Sequence, residues 1–465
     1  MITSQKGAGL MEVLVALLLL SIAVLGFVAL QVRAIAASTE AGQNIQAINI
    51  ARDLAERMRV NRTGLNSYVD LSEGETLTDC SSGFCSAANM AKYDYAQVKQ
   101  RATDLGMSLV VLNCQGSTLT RQCIYVAWGG TTATDGSSGS NCTNGTAMYL
   151  MPNVSLWRFT TMIKPQQAFT LIELMVALAL GLLIVAAGLA VFLSSQRSMG
   201  LQSSLEGLQQ NANFGLSSLT HDLRHANLNT ASSQYVNNKV IGSGIIFAKE
   251  NLPTNLQNTT DLETKFVSLQ NKDTDNTSGK SDQLTIQYVP AANEIIDCEG
   301  NSITSAQSKT IVQRYFLKEI NKPTGEPVSY SLACDAGWYA TGDTAITGLD
   351  NNAQQIMQYI DAFKVRIGIK NLVNKNLRYM TFDEYKAAMG SITDPKEYLQ
   401  VVSVEIGVLA RSTGKIGSDS NVNTQKVFKL AGQTVTLSGT DATNQKYLRQ
   451  AVNQMVALRN TLGAS

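Results

Sequence analysis

Apolar residues along this chain are concentrated in two uninterrupted runs, Ala8 to Leu30 and Phe169 to Leu193. Each exceeds the roughly 20 residues that carry a helix across a bilayer. Each also holds a single ionisable residue, Glu12 in the first and Glu173 in the second. Beyond each run the pattern changes to the period of an amphipathic helix. Ile35, Ile45, Ile48, Leu54 and Met58 mark the apolar side after the first run; Leu201, Leu205, Leu208, Phe214, Leu219 and Leu223 mark it after the second. Neither stretch contains proline, so the spacing predicts one long helix per run, apolar all round at its start and one-sided later.

Alternation with a period of two follows each helix. In the first half, Met107 to Cys114 and Arg121 to Gly130 read as a hairpin. In the second half, Asp282 to Val289, Thr310 to Ile320, Glu326 to Cys334, Asp361 to Lys370, Leu399 to Arg411 and Thr424 to Gly432 alternate apolar with polar residues. A large twisted antiparallel sheet is the expected sum. The fold class is α+β: two units, each a long helix packed on an antiparallel β-sheet head.

Composition narrows the chemistry. Among 465 residues, 37 Lys and Arg face 36 Asp and Glu, leaving no basic excess for nucleic-acid binding. With two histidines, His221 and His225, a multi-histidine metal centre is excluded and a Ser-His-Asp triad has few possible bases. These two stand one helical turn apart in HDLRH, but no Glu follows His221 as in H-E-x-x-H, and exposed helix residues account for them. The acidic stretch Asp273 to Asp282 has Gly279 at the wrong offset for a calcium loop. No phosphate-binding loop occurs, so the chain supplies no ATP-driven force of its own. No catalytic residue, metal site or cofactor is expected.

A carboxylate within hydrocarbon is costly and persists only with a partner, so Glu12 and Glu173 are the informative residues of the apolar runs. Both follow a short leader with one lysine and a small residue: MITSQKG then AGLME, and MIKPQQA then FTLIE. The first run is too long for a secretory h-region, and its small residues precede it. FTLIELMVALALG (Phe169 to Gly181) and the looser AGLMEVLVALLLL (Ala8 to Leu20) resemble the cleavage and methylation signal of type IV prepilins. The resemblance implies that a prepilin peptidase cuts between Gly7 and Ala8 and between Ala168 and Phe169. The new amines of Ala8 and Phe169 would be methylated, and Glu12 and Glu173 would meet such an amine on a neighbouring subunit during assembly. Ala8 stands where the family has an aromatic residue, and Ala168 where it has Gly. An ammonium beside an otherwise unpaired carboxylate in a dry helix bundle is a complementary pair.

The chain is therefore similar to two prepilins joined end to end. Residues 1–7 are the first leader and 8–161 a pilin resembling the PilV group, with its membrane helix at 8–30 and a periplasmic head at 31–161. Residues 162–168, beginning at Met162, are the second leader. Residues 169–465 resemble the PilW group, with the membrane helix at 169–193 and the head at 194–465. ARDLAERMRVNR, DCSSGFC and CIYVAWGG carry the first likeness; LTHDLRHAN, SDQLTIQYV, VVSVEIGVLARS and VALRN carry the second. Minor pilins of this kind imply a pilus-tip priming complex with other minor pilins, the major pilin and a large tip adhesin, reached from the inner membrane and serving twitching, adhesion or DNA uptake. A type II secretion pseudopilin pair is the near rival. A two-pass membrane enzyme with periplasmic domains is the distant one.

An exported head is an oxidising setting that favours disulfides. The expected pairs are Cys80 with Cys85, Cys114 with Cys123 across the hairpin, and Cys298 with Cys334, leaving Cys142 over; spacing alone does not fix the connectivity. Family topology puts both leaders in the cytoplasm and both heads outside. In an unbroken chain the second helix would run back inward. Two separate polypeptides as the working state, or a sequence that joins two adjacent reading frames, are the expectations, with a true two-pass fusion as the alternative.

Overall fold

A computed structural model describes residues 10–72, 74–114, 121–129, 131–134, 143–144, 171–232, 235–277, 279–320, 328–414, 425–438 and 447–464. Two helices dominate: α1 (Leu10–Val60, 51 residues) and α3 (Leu171–His225, 55 residues). The chain groups into two compact units that cut across its order. One comprises residues 1–44 and 146–203; the other comprises residues 45–145 and 204–465.

In the first unit the two helices run side by side and parallel. Ser195 Oγ donates to Gln31 Oε1 at 2.5 Å, and further along both helices Gln202 Nε2 donates to the Ile35 carbonyl at 3.3 Å, the paired positions being 164 and 167 residues apart. Their apolar side chains, Leu18, Ile22, Leu30, Ile172, Leu182 and Leu183 among them, stand exposed. Among the described residues one helical stretch, Leu178–His225, is long and apolar enough to cross a membrane, and none of its most apolar window is buried. A helix that is apolar on every side needs an apolar solvent.

The second unit holds both heads. In the first head, the end of α1 packs on α2 (Ala87–Asp104) and on the hairpin of β1 (Ser108–Asn113) and β2 (Gln122–Ala127). A short ladder, β3 (Thr132–Ala133) with β4 (Thr143–Asn144), follows. Leu54, Met58, Tyr68, Tyr95, Val98 and Leu109 form its core. The Ser86 side chain caps α2 by accepting from the Asn89 amide. A disulfide, Cys114–Cys123, closes the hairpin with Cα atoms 5.0 Å apart.

The second head contains two antiparallel sheets rather than one large sheet. The first orders its strands β11-β10-β9-β6-β5, from β5 (Leu269–Thr274), β6 (Lys280–Tyr288), β9 (Lys309–Ile320), β10 (Ser329–Ala340) and β11 (Gln354–Gln358). Between β6 and β9 a small ladder joins β7 (Glu294–Ile296) to β8 (Ser302–Thr304). The second sheet orders β13-β12-β14-β17, from β12 (Ile360–Asn371), β13 (Leu377–Met380), β14 (Leu399–Arg411) and β17 (Arg449–Ala457). The chain leaves the first sheet for the second at Tyr359, whose φ of 55° is left-handed, and a register shift follows between Ile360 and Ala362. That corner splits the strands. A hairpin of β15 (Val427–Leu430) and β16 (Gln433–Thr436) covers the outer side, and α4 (Phe382–Gly390) begins in a Thr381–Glu384 capping box.

Leu208, Leu216, Leu219 and Leu223 of α3 enter one core with Ile286, Tyr315 and Leu332 of the first sheet and Phe363, Val365, Ile367, Val404, Ile406 and Val456 of the second. Alternation then turns Arg366, Glu405 and Tyr379 to the other face of the second sheet. The β15–β16 hairpin covers part of that face, at Ala362 and Leu409, and the first head covers the part around these three residues.

Candidate functional site

The first head lies across the second sheet and reaches both of its edge strands. On β13, the Cys85 amide donates to the Leu377 carbonyl at 2.8 Å and the Leu377 amide donates back at 2.9 Å. The Tyr379 amide donates to the Cys80 carbonyl at 3.0 Å. The Cys80–Cys85 disulfide, its Cα atoms 5.6 Å apart, holds the loop that offers these groups. On the opposite edge, β17 is capped from the side of a helix: the Met455 amide donates to Asp53 Oδ1 at 2.5 Å and the Ala457 amide to Glu56 Oε2 at 3.3 Å. An exposed edge strand is a template for wrong pairing, so both edges are satisfied by the same partner.

Between the edges sits a buried charge cluster. Arg57, on the last turns of α1, is 0% exposed. Its guanidinium reaches Asp53 at 3.1 Å one turn back, Asp94 of α2 at 2.7 Å and Glu405 of β14 at 2.5 Å. Arg366 of β12 pairs with Glu405 and lies 4.4 Å from the Tyr379 ring centroid. Arg101 pairs with Asp53. The Tyr379 hydroxyl donates to Asp94 Oδ1 at 2.6 Å. Cys80, Cys85, Met90, Tyr93, Leu377 and Met455 close round the cluster as an apolar collar. A residual void of about 10 Å³ remains beside it, lined by Asn61 and Ser403, whose Oδ1 and Oγ have no protein partner. Such a space holds about one water molecule.

Desolvation and pairing compete at each group. Burial pushes the Glu405 carboxyl up, but the Arg366 and Arg57 guanidiniums outweigh it and hold the group at about 2. At Asp94 burial wins, and its carboxyl lies above the ordinary range despite Arg57 and the Tyr379 hydroxyl. Burial also raises Tyr379, which keeps its proton and donates it. Counted by half, the cluster is neutral on each side: Arg57 and Arg101 balance Asp53 and Asp94 in the first head, and Arg366 balances Glu405 in the second. Each face can therefore be solvated alone and buried on docking without trapping net charge, which is the condition for a tolerable buried ionic contact.

Of the residues singled out in the sequence, Gly7, Ala8, Ala168, Phe169 and Cys142 lie outside the described residues. Glu12 and Glu173 lie on α1 and α3. The structure joins Cys80 to Cys85, Cys114 to Cys123 and Cys298 to Cys334. Asp53, Arg57, Asp94 and Glu405 were not singled out. The one available signal was Glu405, an acid in the middle of the apolar strand VVSVEIGVLA.

Comparison with known proteins falls on the same two halves. The family model described as type IV pilin Tt1218 matches residues 29–96, and that for type IV pilus-assembly protein W matches residues 325–460. The prokaryotic N-terminal methylation motif matches residues 163–189. No curated protein matches the chain by sequence. Among solved structures, a type IV-like pilin from Thermus thermophilus is 13% identical, over 55% of this chain and 98% of that one, with a TM-score of 0.26. Asp53, Arg57, Cys85 and Asp94 fall in the first matched segment, and Arg366, Leu377, Tyr379, Glu405 and Met455 in the second. The seam is built from the parts that carry the likeness.

Proposed function

We propose that this chain, a type IV minor pilin in kind with a PilW-like region in its second half, supplies two minor pilins that act as a pair. The pair enters a priming complex at the pilus tip with other minor pilins, the major pilin and a large tip adhesin, and promotes assembly in support of twitching, adhesion or DNA uptake. Its work is structural rather than catalytic. The helices anchor in the inner membrane and the heads stand in the periplasm until the filament carries them out.

The seam carries this conclusion: a pilin-like head that closes both edges of a second pilin-like sheet, one with its disulfide loop and the other with the side of its helix. Parallel helices support it further. Paired positions on α1 and α3 are 164 to 168 residues apart. Both helices begin, in sequence, close behind the two short leaders that carry the resemblance. On the resemblance, a first pilin cut before Ala8 would offer its new amine to a Glu such as Glu173 on a neighbouring pilin, which neutralises both charges within the membrane.

Expression of the halves from Met1 and Met162 as separate chains, in cells with the prepilin peptidase, tests the proposal. Intact masses and N-terminal peptides should report N-methylated Ala8 and Phe169, the two products should co-purify, and loss of either should lower surface piliation. Normal piliation without them, joined to a secretion defect, would favour the type II pseudopilin pair. Retained leaders with no filament phenotype would favour a membrane enzyme.

A further inference from the structure

We propose that His221, Asp222 and His225, at the end of α3, form a binding site for a divalent transition metal of the zinc class. Both histidines of the chain are here, four residues apart on one face of the helix, their ring centroids 4.7 Å apart. One ligand atom from each of the three residues lies within 4.8 Å of the others. A helical His pair at this spacing is the arrangement that chelates zinc in helical metal sites, and two imidazoles with one carboxylate suit zinc or copper(II) better than magnesium or calcium.

The surroundings orient the ligands. His225 Nδ1 lies 3.1 Å from the His221 carbonyl, an acceptor only, so Nδ1 carries the proton and Nε2 keeps its lone pair for a metal. Asp222 Oδ2 accepts from the Tyr315 hydroxyl at 2.6 Å, and Tyr315 is itself buried in the core, which fixes the carboxylate and leaves Oδ1 on the histidine side. The one cation on the same turn, Arg224, is directed at Glu56 at 3.0 Å and does not oppose a metal. His221 is exposed and His225 half-buried, so an ion enters from solvent and water completes a four-coordinate shell. The bound ion would tie the last turn of α3 across four residues, next to the seam that Glu56 helps to form. This site is independent of the pilin reading.

Sequence spacing alone gives two ligands; the structure adds the third and its support. The test is isothermal titration of zinc chloride into the full chain in detergent, purified without a histidine tag and stripped with chelator. One ion per chain is expected, with chelator-reversible binding and a raised melting temperature of the head. His221→Gln and His225→Gln should each weaken binding by more than about tenfold while the metal-free melting temperature stays unchanged. Copper(II) resonance spectra should report two nitrogen ligands in the wild type and one in either variant. Unchanged affinity and stoichiometry in the double variant, or spectra with no nitrogen ligand, would overturn the proposal.

Discussion

Arg57→Met removes a cation that touches carboxylates from both heads while keeping much of the aliphatic stem. Three buried acids, Asp53, Asp94 and Glu405, are then left with Arg101 and Arg366, one negative charge in excess. Breaking a buried ionic contact from one side costs about 3–5 kcal/mol. Proton uptake sets a ceiling on that cost. Asp94 is the acid that will take the proton, because burial already raises it above its ordinary 3.8. Starting from that ordinary value, holding it neutral near pH 7 costs about 4 kcal/mol, at about 1.4 kcal/mol per unit. The two limits agree, and a loss of about 4 kcal/mol is expected in denaturant unfolding of the solubilised chain.

The sign with pH follows. An orphaned carboxyl has a raised pKa in the folded variant, so the folded state binds the extra proton and the penalty shrinks as pH falls. The deficit relative to wild type should diminish by about 3 kcal/mol between pH 7 and pH 5. Arg57→Met with Asp94→Asn restores neutrality, with Asp53 and Glu405 facing Arg101 and Arg366. A double-mutant cycle should then give a favourable coupling of more than about 2 kcal/mol. A deficit that is flat across this pH range, together with no coupling, would show that Arg57 contributes packing and not charge balance.

Four further outcomes are expected. Because Glu405 is held at about 2 against an ordinary 4.5, its contribution, about 3 kcal/mol, is present above pH 4.5 and lost as pH falls toward 2. Unfolding free energy of the solubilised chain should therefore fall across that range in the wild type and less in Glu405→Gln, and equal pH dependence of the two would contradict this. Cys80→Ser with Cys85→Ser should cost about 2 kcal/mol for so short a loop and should weaken the pairing at Leu377, read as faster hydrogen exchange at that amide. Leu219→Ala, at a side chain 0% exposed in the shared core, should cost about 3 kcal/mol in unfolding free energy. Gly215 packs so closely on Met357 that an added Cβ would lie 1.8 Å from its Cγ, so Gly215→Val should lower the melting temperature markedly, whereas Gly207→Val, with nothing within 4 Å, should have a small effect.

The long helices were legible because a run of more than 20 residues with a single charge leaves a chain few alternatives, and because the change to one-sided periodicity marks where each helix meets a head. The central strands were legible from alternation. Helix α2 was not: Lys92, Asp94, Lys99 and Arg101 dilute its apolar face, and on a sequence they look like an ordinary solvated surface. Strand β17 escaped for the same reason, since Asn453 and Gln454 interrupt its pattern. The division into two sheets depends on one left-handed residue, Tyr359, that no propensity announces. The seam was the least visible feature. Asp53 and Arg57 are spaced as a surface pair at i and i+4, worth a few tenths of a kcal/mol when exposed; their burial comes from Glu405, 348 residues further along the chain than Arg57.

That distance bears on how such a chain comes to work. Both heads belong to one compact unit, and within the other unit the helices run in the same direction. Two parallel helices that both cross a bilayer from the same side require the intervening chain to cross back. Residues 145–170 contain no third apolar run of spanning length, and carry Arg158 and Lys164. On the reading proposed above, a continuous chain has no favourable path, whereas two separate chains, the second starting at Met162, have one each. The buried cluster is consistent with separate synthesis: within it Arg57 and Arg101 match Asp53 and Asp94 on one side and Arg366 matches Glu405 on the other, and docking then buries Arg57 against Glu405. We infer that the heads meet after insertion as independent folded partners, with the charge cluster selecting one pairing from the many that two apolar surfaces would allow.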